Sequence, residues 1–230
     1  MNTPTHHLDD DVLLAYVAGT ATEPVSLLAA CHLTLCAACR EHGAAAEMVG
    51  GALLDVEPVA ALSEDALARV LARLDDDGPA ALPPAPAAGT AEPFVFEGVP
   101  LPRPLARYLG LGKQGGDSRR AFRFLAPGVR GVDLPVVAPP AVRTRLLRLA
   151  PWVEIPRHAH AAPEFTMVFS GSLSEGGDRY GRGDVRFLDT AGVHVQRVDS
   201  DGPCVALVIN EGALLPQTWR GKLVSLLFDR

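Results

Sequence analysis

The stretch that most constrains this chain is Cys31-His32-Leu33-Thr34-Leu35-Cys36-Ala37-Ala38-Cys39. It reads His-x-x-x-Cys-x-x-Cys. Two thiolates three residues apart can chelate one small cation from a tight turn or from the first turn of a helix. His32 lies four residues before Cys36, so on a helix it faces the same way. These are three ligands of the N/S type that zinc prefers, and a closed structural zinc site takes four in a tetrahedron. The chain offers His6 and His7 for the fourth position, and local reasoning alone leaves the choice between them open. Cys31 stays in the helix core, because neighbours in a Cys-His pair point in different directions.

Metal binding is favoured over disulfides by the expected compartment. The N-terminus has no positive segment followed by an apolar core, so it does not read as a secretory signal. No uninterrupted apolar run approaches the roughly 20 residues that span a bilayer. A reducing cytoplasm is therefore expected, where clustered cysteines hold metal more often than they cross-link. The formal charge of −6 argues against nucleic-acid binding, which needs a basic face to displace counterions. It favours instead a protein partner with a basic surface.

Residues 1–75 read as four short helices. Asp9 and Asp10 open a helix over 8–19, with Leu13, Tyr16 and Val17 as its apolar stripe and Gly19 to close it. Pro24 suits the first turn of a second helix that leads through Val25, Leu27 and Leu28 to His32. A third starts near Cys36 and runs to about Leu54. Ser63 caps a fourth, with Leu67, Val70, Leu71 and Leu74 at helical spacing. So small a core needs a staple, and a zinc ion tying the start of the chain to the start of the third helix would supply it.

Residues 76–93 are rich in proline and alanine after an aspartate run. Proline removes donors and fixes φ, so the segment reads as a semi-extended linker between two units that can move relative to each other. From 94 to 230 the texture is β. Strands are expected over 121–125, 128–134, 142–149, 165–170, 184–188, 194–198 and 204–209, with a turn at 175–178. Many short strands at this spacing mean an all-β sandwich or barrel.

His158 and His160 share one face of a strand, since side chains repeat every two residues. Glu164 can join them from the next strand and His194 from a later one. Three histidines and a carboxylate suit Zn, Mn, Fe or Ni. Cys204, alone in this unit, reads as a buried strand residue.

Two resemblances follow from these motifs. His7, Tyr16-Val17-Ala18-Gly19 and His32-x-x-x-Cys36-x-x-Cys39 resemble the zinc-containing anti-sigma domain. That likeness implies His7 as the upstream ligand, beside His32, Cys36 and Cys39. His158-x-His160-x-x-x-Glu164-x6-Gly171, with His194 beyond, resembles the cupin motifs and implies a divalent transition metal on those four side chains. The sequence departs from the cupin pattern at Trp152, where a glycine is usual, and at Val198, where an asparagine is usual.

An anti-sigma zinc domain followed by a cupin, a double-stranded β-helix or jelly-roll barrel, is similar in order and extent to the ChrR family of anti-sigma factors. The resemblance implies that the chain sequesters an extracytoplasmic-function (group IV) sigma factor and releases it when an oxidant such as singlet oxygen or an organic peroxide acts on the cupin. It also implies no catalysis and no direct contact with nucleic acid. The rival reading is a metal-dependent cupin dioxygenase with an N-terminal docking unit, since fold does not fix function. A metal-responsive DNA-binding repressor is disfavoured by the negative charge and the lack of a basic recognition helix.

Overall fold

The computed structural model describes residues 3–76, 94–110, 120–160, 162–189, 194–199, 202–212 and 214–216. The linker expected over 76–93 lies, apart from Asp76, outside the described residues.

Four helices come first. Helix α1 spans Asp10–Val17, α2 Glu23–Leu35, α3 Ala37–Val56 and α4 Ala66–Asp76. Gly19, at φ 70°, ends α1 in the left-handed conformation, and its N–H donates to the Tyr16 carbonyl. Helices α2 and α3 meet at Cys36, whose extended backbone is at once the C-cap of one and the N-cap of the other. Helices α3 and α1 pack closely at Gly43, where a Cβ would be in ordinary van der Waals contact with Leu13 (3.7 Å) and Val17 (3.8 Å).

Thirteen strands follow among the described residues. They are β1 Phe94–Phe96, β2 Val99–Leu101, β3 Arg123–Ala126, β4 Val129–Asp133, β5 Arg143–Leu149, β6 Glu154–His160, β7 Glu164–Ser170, β8 Leu173–Glu175, β9 Asp178–Tyr180, β10 Val185–Leu188, β11 His194–Val198, β12 Cys204–Asn210 and β13 Leu214–Pro216. Strands β1 and β2 form a small hairpin. The others make a six-stranded sheet, ordered β10-β7-β12-β5-β4-β3, and a five-stranded sheet, ordered β13-β6-β11-β8-β9. All pairings are antiparallel, as in a cupin jelly roll. The strands absent from the sequence reading, β1, β2, β8, β9 and β13, are three residues each, too short for an alternation to register.

The six-stranded sheet is buried on both faces. Leu147, Leu149, Val168, Cys204 and Ala206 face one cluster with Leu173 and Val198 of the five-stranded sheet. Their strand neighbours Leu146, Met167, Phe169, Val205, Leu207 and Ile209 face the other way, into a cluster that also holds Leu13, Val25, Leu27, Leu28 and Cys31 of the helices. This explains why β12 is apolar almost throughout rather than alternating, and why β7 is buried along nearly its whole length.

The two units, expected to be joined by a semi-extended linker, share one continuous core among the described residues. The reason is α2, which buries residues on several sides, Val25, Leu27, Leu28, Ala29, Cys31 and His32, and so has neighbours in both units. Glu23 at its start accepts hydrogen bonds from Tyr108 Oη (2.6 Å), Arg107 Nη2 (3.0 Å) and the Val137 amide (2.8 Å). The Tyr108 bond, then the Val137 amide, holds the Glu23 carboxyl below its usual range.

Leu28 is wholly buried in this shared core. Leu28→Ala is expected to cost about 2–5 kcal/mol. In denaturant titration the helical and β signals should shift together, because one cavity touches both units.

Candidate metal centre

Four donor side chains converge where the N-terminal segment meets the α2–α3 junction. One ligand atom from each of His7, His32, Cys36 and Cys39 lies within 4.8 Å of the others, a group able to hold a metal ion. His7 Nδ1 is 3.2 Å from Cys36 Sγ and 3.6 Å from Cys39 Sγ, and His32 Nε2 is 3.2 Å from Cys39 Sγ. The imidazoles stand edge-on at 84°. The spacing of the motif explains the arrangement. His32 sits in the last turn of α2, Cys36 in the junction and Cys39 in the first turn of α3, so a single break in the helix turns all three donors inward.

The donor set fits a cation. His32 Nδ1–H donates to the carbonyl of Gly183 at 2.8 Å, which leaves Nε2 carrying the lone pair on the side of Cys39. Burial holds His32 below the usual histidine range, so the ring is neutral, the form that binds metal. Burial first, with Cys36 adding to it, pushes the Cys39 thiol up. A divalent cation at the centre would reverse that, since the thiolate is the ligand form. Cys31 is buried away from the cluster and its thiol is raised by burial alone.

Between the two N-terminal histidines, it is His7 whose ring nitrogen meets the thiols. The ring of His6 instead stacks on Tyr180 at 4.3 Å and pairs with Asp184 at 3.4 Å. His42 is exposed on α3.

The second constellation lies in the β unit. His158 and His160 are both on β6, and the Cα of His158 is paired with that of His194 on β11. The side chains of His158 and His160 lie outside the described residues. His194 is buried, and Glu164 opens β7 with its side chain 5% exposed. Burial pushes the Glu164 carboxyl up to about 7, against the pull of Arg186. Arg186 Nη1 is 3.2 Å from Glu164 Oε1, and its Nη2 reaches Glu175.

Sequence reasoning missed Arg186, because an arginine in a short strand carries no sign of which face it takes. The two departures from the cupin pattern are also resolved. Trp152 has φ 65°, so the backbone still adopts the left-handed conformation that glycine takes most readily. Val198 is buried in the core between the sheets, an apolar use of a polar position. Cys204 is wholly buried on β12, its thiol pushed up to about 12 by burial.

No helix among the described residues is long and apolar enough to cross a membrane. No family model matches the chain. The anti-sigma-E factor ChrR of Cereibacter sphaeroides is 35% identical over 226 residues, which cover 98% of this chain and 99% of that protein. The crystal structure of Rhodobacter sphaeroides SigE in complex with the anti-sigma ChrR matches with a TM-score of 0.70 and 33% identity, over 90% of this chain and 99% of that one. A Ralstonia eutropha protein of unknown function with a cupin-like fold is 16% identical over 45% of this chain and 72% of its own, with a TM-score of 0.38, too slight a likeness to carry an argument.

Proposed function

The chain belongs to the ChrR family of anti-sigma factors, and from that premise we propose that it sequesters an extracytoplasmic-function sigma factor through its helical unit and releases it when an oxidative signal acts on the cupin. The observation that carries this reading is a run of large apolar side chains left in solvent. Met48, Val49, Leu53 and Leu54 on α3 and Leu67, Val70 and Leu71 on α4 are each more than half exposed. Exposed apolar patches of this kind mark interaction surfaces. The i, i+3, i+4 spacing on α4 is that of a helix held in a partner's groove.

Zinc is the cation that two imidazoles and two thiolates suit, and bound by His7, His32, Cys36 and Cys39 it would supply a tetrahedral cross-link. Those residues tie the N-terminal segment, α2 and α3 together and so set the base from which α3 and α4 project. His158, His160, Glu164 and His194 are proposed to hold a second divalent transition metal, whose identity the donor types leave open. We read the chain as a binding protein rather than an enzyme, without nucleic-acid contact of its own. A reducing cytoplasm suits it, since that compartment keeps Cys36 and Cys39 as thiols.

Release requires the signal to favour the sigma-free form by a real free-energy difference, about 5.5 kcal/mol to swing a 1:99 population to 99:1. The test is purification of tagged protein from its own host, grown without stress. A single stoichiometric sigma factor is expected, lost on exposure to singlet oxygen or an organic peroxide. A His158→Ala/His160→Ala variant should hold the sigma factor and fail to release it. Iron-rich protein with no sigma factor and with oxygen uptake on a dicarbonyl compound would establish the dioxygenase instead.

A further inference from the structure

The metal-type cluster draws its ligands from the helical unit, but the cupin grips those ligands from both sides. The turn between β9 and β10, residues 181–184, does so. On one side Gly183 O accepts the Nδ1–H of His32 at 2.8 Å. On the other, Asp184 Oδ1 accepts the amides of Thr5 (2.6 Å) and His6 (2.9 Å). Asp184 Oδ2 also pairs with the His6 ring at 3.4 Å, and the Val185 amide donates to the His6 carbonyl at 3.2 Å. The residue directly before the ligand His7 is thus pinned at its amide, its carbonyl and its ring.

The turn itself is held stiffly. Asp184 Oδ2 accepts the Gly181 amide at 2.8 Å, and the Asp184 amide donates to the Gly181 carbonyl at 3.0 Å. Gly183 has φ 92°, and a Cβ there would come within 2.6 Å of Pro4 Cγ. Only glycine allows the carbonyl to approach His32 this closely beside the N-terminal segment. Two residues beyond Asp184, Arg186 grips Glu164. One covalent run of four residues, 183–186, therefore touches both constellations.

We propose that Gly183 and Asp184 are positioning residues of the N-terminal metal centre, so that the cupin supplies the second shell for ligands the helices supply. The inference rests on the reading that His7, His32, Cys36 and Cys39 hold a divalent cation. Outer-shell partners of this kind fix the tautomer and orientation of a ligating imidazole, and losing one typically costs 10–100-fold in metal affinity. Asp184→Ala removes the acceptor that fixes the backbone at Thr5 and His6 while leaving all four ligands in place.

The experiment measures zinc affinity of the full chain by competition with a chromogenic chelator, alongside the cobalt(II) spectrum. Asp184→Ala should bind zinc about 10–100-fold more weakly, with the thiolate-to-cobalt charge-transfer band retained, since the ligands are unchanged. Asp184→Asn, which keeps an oxygen acceptor for the two amides, should recover most of the loss and guards against a folding failure in the alanine variant. Asp199→Ala, on the Ser172, Ser174 and Arg179 network of the same barrel, should leave zinc affinity unchanged. Asp184→Ala and Asp184→Asn both binding zinc as tightly as the parent would overturn the inference. A parent chain with no tight zinc and no charge-transfer band would instead overturn the reading beneath it.

Discussion

A Cys36→Ala/Cys39→Ala protein is expected to lose one equivalent of zinc, the order of α1 and the start of α3, and its complex with the sigma factor. Both thiols are buried, and Cys→Ala removes a single sulfur atom at each position, so the effect reports chiefly the lost cross-link rather than a cavity. Helix α1 has eight residues and buries only Leu13 within its span. Isolated helices shorter than about 12–15 residues are marginal in water. Structural zinc contributes on the order of 10–16 kcal/mol in small zinc-folded peptides, far more than these few apolar contacts can replace. Helix α2 should survive, because Val25, Leu27 and Leu28 sit in the core shared with the six-stranded sheet. Metal analysis with amide hydrogen exchange checks this. Fast exchange confined to α1 and the first turns of α3 is the expected pattern, and chelator treatment of the parent protein should reproduce it. An unchanged exchange map in a zinc-free double variant would remove the structural role assigned to the ion.

The second large effect concerns binding without folding. Leu67→Gln/Leu71→Gln is expected to leave the melting temperature of the free protein nearly unchanged. Leu67 is 69% and Leu71 51% exposed, glutamine is close to leucine in helix propensity, and surface changes of this sort stay within about 0.5 kcal/mol. Affinity for the sigma factor should fall by about 30–1,000-fold, since residues that anchor an interface cost roughly 2–4 kcal/mol when lost. The two leucines lie one turn apart, so a groove that takes one takes the other. Calorimetric titration of the variant against the sigma factor gives the answer. Undiminished affinity would move the docking surface away from α4, with the exposed Met48, Val49, Leu53 and Leu54 of α3 as the place to look next.

What could be read directly from the sequence were features whose causes lie within a few residues. The helices came from caps and stripes such as Asp9, Gly19 and Pro24, and the junction at Cys36 from the ligand spacing itself. His32, Cys36 and Cys39 converge because three positions on two turns can only converge if the helix breaks where it does. The longer strands were visible from their apolar content, although β12 owes that content to burial on both faces of a central sheet rather than to one.

Tertiary structure decided everything that rests on contacts distant in sequence. The geometry that turns the His7 ring toward the thiols and the His6 ring away needed Asp184, some 178 residues away along the chain, to take the His6 amide. The tautomer of His32 needed the Gly183 carbonyl, 151 residues on. The merging of two units into one core needed α2 to find the back of a sheet whose strands are scattered from 123 to 210. Periodicity and spacing report which side of its own element a residue takes. They carry no information about which other element will cover that side, because that is settled by the packing of whole layers, and here it placed a turn of the β unit beside the His7, His32, Cys36 and Cys39 cluster of the helices.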